Sequence, residues 1–187
     1  MRLHSIVLFI SVIFQSIFSY GQKDVYGVTN GIVRFHSDAQ QELIRATSKN
    51  LIGAVDISKR TFLFKVNVVS FEGFNSPRQK EHFNENYMES DLFPVASYSG
   101  KIIEEVDLSK DGDYYIRAKG KLIIHGVEQQ RIIKCHLVCK NGLITVQSDF
   151  IVLLADYNIK IPRIVSDKLS PEINVSVNLV LTPKQSS

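Results

Sequence analysis

The sequence has little excess of either charge, few cysteines and, beyond its first residues, no long apolar run. Its 22 Lys and Arg stand against 19 Asp and Glu. A balance so near neutral makes no electrostatic case for nucleic acid or an anionic membrane surface as partner. The two cysteines, Cys135 and Cys139, sit in "RIIKCHLVCKNG". On a strand, four residues at about 3.3 Å each hold them about 13 Å apart, beyond the ~7 Å between Cα atoms that a disulfide spans. Buried free thiols are expected. No GxSxG elbow, P-loop or GxGxxG occurs, and no pair of carboxylates is marked as acid and base. His36, His125 and His136 fall in phase with Arg34, Lys121 and Lys134, which assigns them to an outer face. Neither catalysis nor a cofactor is expected.

The one long apolar run is N-terminal. "MRLHSIVLFISVIFQSIFSYGQKD" has a basic Arg2, an apolar core from Ile6 to Phe14 and small residues before a cleavage point at Gly21, the pattern of a secretory signal peptide. Ser11, Gln15 and Ser16 break the run, whereas a spanning helix needs ~20 apolar residues. With no cysteine near the cleavage point, a lipid anchor is not expected. The reading is a signal peptide over 1–21 and one domain over 22–187, periplasmic or secreted and not membrane-spanning.

What the mature chain has in abundance is alternation with a period of two, the mark of half-buried strands. "TFLFKVNV" puts Phe62, Phe64, Val66 and Val68 on one face. "YYIRAKGKLIIHG" puts Ile116, Ala118, Gly120, Leu122 and Ile124 on one face, against Arg117, Lys119 and Lys121. "ITVQSDFIVLL" aligns Ile144, Val146, Ser148, Phe150 and Val152, and "EINVSVNLVLT" aligns Ile173, Val175, Val177, Leu179 and Leu181. Shorter candidates are "IVRFH", "ELIRAT", "LIGAVDI" and "VASYSGKII". Asn141-Gly142, Asp111-Gly112 and His125-Gly126 read as hairpin turns. Eight or nine antiparallel strands in meander order follow, all-β, and a closed barrel would remove their exposed edges. The interior of a barrel of ~8 strands is either filled by side chains or wide enough for a slender ligand. Gly100 and Gly120, on the inward phase, mark either a strand bend or room for a ligand.

One stretch breaks the alternation, "SPRQKEHFNENYMESDLFPVASYSG". Ser76 is an N-cap, Pro77 suits the first helical position and Gln79 completes a capping box. Pro94 stops the helix. An amphipathic helix over about 77–90 is expected, with Phe83, Tyr87 and Met88 on one side, flanking or capping the barrel. His82, Glu85 and Glu89 share its other side but form no HExxH motif, and a metal site is not expected. Lys160, Arg163 and Lys168, with Asp156 and Asp167, crowd a long loop that is either solvated or placed to hold an anionic head at the barrel mouth.

"GIVRFHSDA", "LIGAVDI", "SFEGFN", "HFNENYMESDLFPVASYSG", "GKLIIHGV" and "DFIVLLADYNIKIP", in this order and spacing, resemble the YceI-like family over about Gly31 to Leu181, with a helix of the Bacteroidota type. The resemblance implies a lipocalin-like antiparallel barrel, exported, some of whose relatives hold a polyisoprenoid chain, and it supplies no catalytic residues. The leading expectation is an exported binding protein that sequesters a polyisoprenoid or fatty chain. Its ligand-binding interior would comprise Phe62, Phe64, Val66, Tyr98, Gly100 and Gly120, with Leu122, Ile124, Phe150, Val152, Val177 and Leu179. The alternative is a non-enzymatic stress or interaction protein with a filled barrel. The oligomeric state stays open, a homodimer included.

Overall fold

The alternating segments become strands, and every strand pair is antiparallel. The computed structural model describes residues 25–184, so the expected signal peptide over 1–21 lies outside the described residues. The strands are β1 (Val25–Asp38), β2 (Leu43–Ser48), β3 (Ile52–Asp56), β4 (Thr61–Asn67), β5 (Val95–Ile102), β6 (Gly112–Ile124), β7 (Val127–Lys140), β8 (Leu143–Leu153) and β9 (Glu172–Pro183). From β3 to β9 each strand pairs with the next. The ring then closes through β1, whose pairing with β9 runs from Tyr26↔Pro183 to Ser37↔Ile173. On its other edge β1 is shared: Val25–Gly27 pairs with β3, and Val33–Asp38 pairs with β2. The result is a closed eight-stranded barrel with β2 as an additional strand.

Two of the three expected turns close hairpins. Asn141-Gly142 and His125-Gly126 have positive φ at both central positions, 52° and 75°, and 50° and 71°, the backbone of a type I′ turn whose twist suits flanking strands. Asp111-Gly112 does not. The β5–β6 connection turns earlier, where Lys110 N–H donates to the Asp107 carbonyl oxygen at 3.3 Å. The Asp107 carboxylate accepts from the Ser109 N–H, which supplies the local bond that makes Asp a turn former. Gly112 is already in the strand, and Asp111 accepts from the Asn141 N–H across that end of the barrel.

The interruption is helical but shorter than expected. Helix α1 (Pro77–His82) gives way to a wider π turn over Phe83–Tyr87, in which Met88 N–H reaches back five residues to the Phe83 carbonyl oxygen at 2.9 Å. Glu89, at φ 42°, turns the chain away before residue 90. Ser76 Oγ caps the Gln79 N–H as the sequence requires. Gln79 Oε1 accepts from Asn75 N–H instead of the Ser76 N–H of a regular capping box, and its amide nitrogen donates to Glu42 on the β1–β2 connection. The displaced bond ties the helix start to the barrel rather than to its own cap.

The expected apolar side does face the barrel. Phe83 stacks on Phe35 of β1 at 5.3 Å and meets Phe71 and Phe74 at 5.9 and 5.1 Å, the offset and edge contacts that aromatic quadrupoles favour. Tyr87 and Met88 pack on the cluster formed by Tyr157, Ile159 and Leu154 of the β8–β9 connection. Helix and long loop thus cover the same end of the barrel, and Leu108, Ile144 and Leu181 fill towards the other.

Candidate functional site

Between those two ends the interior holds a cavity of about 280 Å³. Of the twelve residues expected to line it, ten do: Phe62, Phe64 and Val66 from β4, Tyr98 from β5, Leu122 and Ile124 from β6, Phe150 and Val152 from β8, and Val177 and Leu179 from β9. Phe64, Tyr98, Ile124, Phe150 and Val177 are only half-buried although they occupy the inward phase. A packed barrel would bury them, so their exposed surface belongs to the cavity.

Gly100 and Gly120 line none of it, and this corrects the reading that they leave room for a ligand. They face each other across β5 and β6. A Cβ on Gly120 would lie 2.1 Å from the Ser99 carbonyl oxygen, and one on Gly100 2.1 Å from that of Lys119. The neighbouring backbone occupies the space, so the pair marks close approach of two strands. Tyr98 sits opposite Leu122 and donates its hydroxyl to the Ala118 carbonyl oxygen at 2.6 Å, so its ring spans the level of Gly120.

The wall presents few free polar groups. Ser148 Oγ donates to the Lys134 carbonyl oxygen at 2.8 Å, and Ser37 Oγ accepts from Ser170 N–H at 2.8 Å. Burial pushes the Tyr98 phenol upward, so it stays a neutral donor. Such a chamber accepts apolar surface and offers little to a polar molecule.

Both cysteines point inward, Cys135 onto the cavity and Cys139 at 4% exposure, and both are free thiols. Burial raises both, Cys139 up to about 11. Only the thiolate attacks a disulfide reagent. Labelling by a water-soluble aromatic disulfide at pH 7.5 is therefore expected to be slow in the folded protein and fast in denaturant, and to quicken as pH climbs towards 11. Rapid labelling of both thiols at neutral pH in the folded state would contradict this burial.

His125 does not lie on the open outer face. At the tip of the β6–β7 hairpin its side chain is only 10% exposed. Nδ1–H donates to the Tyr157 carbonyl oxygen at 3.0 Å, Nε2 lies 2.6 Å from Glu89 Oε2, and the ring meets Phe93 edge-on at 4.8 Å. It joins the long loop to the end of the helical segment. Left-handed backbone at residue 125 swings the side chain off the strand's alternation. Glu89 therefore faces His125 and not His82, and among the described residues no group of three His, Cys, Asp or Glu is placed to hold a metal. His36 is exposed, whereas His136 pairs with Asp113 and stacks on Tyr115. Lys160, Arg163 and Lys168 are exposed, while Tyr157, Ile159 and Leu169 of the same connection turn inward.

Two inward positions escaped the sequence reading. Register places Gln129 opposite Leu122 and Arg131 opposite Gly120, both on the phase of Ile133 and Leu137.

A family model, the YceI-like domain, matches residues 21–181. The chain belongs to the YceI-like family. Solved structures agree with this fold. A polyisoprenoid-binding domain from Saccharophagus degradans, implicated in plant cell wall breakdown, superposes with a TM-score of 0.72 at 16% identity, covering 85% of this chain and 98% of that one. BcnA of Burkholderia cenocepacia gives 0.66 at 13% identity, covering 80% and 95%. The YceI protein of Campylobacter jejuni gives 0.53 at 13% identity, covering 73% and 81%. No curated protein matches the chain. Among the described residues of this YceI-like chain, no helix is long and apolar enough to cross a membrane.

Proposed function

We propose that this YceI-like protein is an exported binding protein whose barrel sequesters an apolar chain, polyisoprenoid or fatty, without catalysing a reaction on it. One observation carries the reading: an interior cavity of about 280 Å³ walled by aliphatic and aromatic side chains, with the wall hydroxyls of Tyr98, Ser37 and Ser148 already bonded to backbone. Each methylene moved into it from water gains about 0.8 kcal/mol, so a long tail is held with few polar contacts. The likeness to a domain described as polyisoprenoid-binding supports the chain-like ligand. The basic, apolar and small-residue pattern of residues 1–21 supports export. The filled-barrel alternative is disfavoured because Phe64, Phe150 and Val177 keep surface exposed to the interior.

Native mass spectrometry of the purified protein, followed by extraction into organic solvent, tests the reading. A co-purifying lipid mass, or uptake of added isoprenoid or fatty acid by the stripped protein, is the expected result, with Cys135 labelled more slowly when the cavity is occupied. Repeated absence of bound lipid together with no uptake of either class would refute it.

A further inference from the structure

An amphiphile has two ends, and the apolar cavity has a place for only one of them. The wall beside it differs at a single point. Among the described residues, Arg131 is the one charged side chain on the inward phase of the strands. It sits where the barrel wall is open along its backbone. β7 and β8 pair only from His136↔Gln147 to Lys140↔Leu143, although β7 begins at Val127 and β8 runs to Leu153. Over the remainder side chains bridge the two strands. Arg131 Nη2 donates to the Ile151 carbonyl oxygen at 2.7 Å and Ser148 Oγ to that of Lys134 at 2.8 Å, while Gln129 Nε2 reaches past the end of β8 to the Asp156 carbonyl oxygen at 2.7 Å.

This seam holds unspent hydrogen-bonding capacity. A guanidinium carries five N–H donors, and among the described residues no carboxylate lies within ion-pair distance of Arg131. Tyr157, at 0% exposure, places its hydroxyl oxygen against that guanidinium, and among the described residues its O–H finds no acceptor. A buried O–H without an acceptor is costly, and the missing group here is one that accepts from a phenol and a guanidinium together. An anionic oxygen does both, since charge-assisted bonds from Arg to carboxylate or phosphate are the strong class. Ser148 and Phe150, on the β8 side of the seam, line the cavity directly.

We propose that the β7–β8 seam receives the anionic head, carboxylate or phosphate, of the bound amphiphile, with Arg131 and Tyr157 holding the head and the chain running past Ser148 and Phe150 into the cavity. The assignment rests on the reading that the cavity takes a chain.

The test compares probes of one chain length on the lipid-stripped protein: myristate, tetradecyl phosphate, tetradecanol and inorganic phosphate alone. Both anionic amphiphiles are expected to bind at least about tenfold tighter than the alcohol, with no measurable binding of free phosphate. Arg131→Gln is expected to erase that preference, Arg131→Lys to restore part of it, and Tyr157→Phe to reduce it. Equal binding of acid and alcohol by the unaltered protein, or a preference that survives in Arg131→Gln, overturns the assignment. Tight binding of inorganic phosphate alone overturns it too, as an anion site independent of the chain. Should Arg131→Gln not fold, the acid–alcohol comparison and Tyr157→Phe decide the matter. Failure of all three amphiphiles to bind refutes the carrier reading itself, an outcome distinct from loss of head selectivity alone.

Discussion

Val177→Trp is expected to weaken chain uptake severely while leaving the barrel folded. Val177 lies on β9 between Val33 of β1 and Ser148 of β8, two small neighbours, and its side chain faces the cavity. An indole there enters existing empty volume, so the usual penalty of overpacking, typically 1–3 kcal/mol, is relieved by the contacts it gains. The ligand bears the loss. Displacing about four methylenes at ~0.8 kcal/mol each removes about 3 kcal/mol, roughly a two-hundredfold fall in affinity. Displacement of a fluorescent fatty acid, read beside a thermal melt, separates the effects. Undiminished uptake by a folded Val177→Trp protein would place the ligand elsewhere.

Gly120→Ala is expected to destabilise the protein by about 3 kcal/mol, at the upper end of what an inserted methyl costs in a packed interior. The added carbon would stand 2.1 Å from the Ser99 carbonyl oxygen and 3.0 Å from Gly100 Cα. Both are backbone atoms of a paired strand and cannot swing aside, so β5 and β6 must part. Gly27→Ala is the control. Its nearest contact is Lys184 Cε at 2.6 Å, the far end of a flexible side chain, and its effect should stay within about 1 kcal/mol. Urea unfolding of the three proteins measures the difference. A Gly120→Ala protein as stable as the Gly27→Ala control would show that the strands can separate there at little cost.

The alternation of Phe62-Phe64-Val66 and Val175-Val177-Leu179 was enough to place the inner wall, because one face of each strand is dry along its whole length. The glycines were harder. Their phase was readable, but the approach of two backbones is a property of the β5–β6 pair and leaves no mark on either strand alone. Arg131 was hidden by its own chemistry. A polar residue at an inward position breaks the pattern by which strands are recognised, and it is tolerated only because β7 parts from β8 there. His125 was misassigned because its left-handed backbone suspends the alternation. Asp111-Gly112 carried the right residues for a hairpin, yet the Asp107 carboxylate nucleates the turn earlier. The helix start was written in Ser76 and Pro77, whereas the widening at Phe83 answers to an aromatic cluster assembled from distant segments.

The sharing of β1 among three partners bears on how the molecule is made. One whole edge of this strand is reserved for β9, so the first of the described strands waits for the last. Contacts so remote along the chain form slowly, and no truncated polypeptide can complete the ring. A nascent chain of this kind stays pliant until β9 has joined, and the ring locks in a single late step.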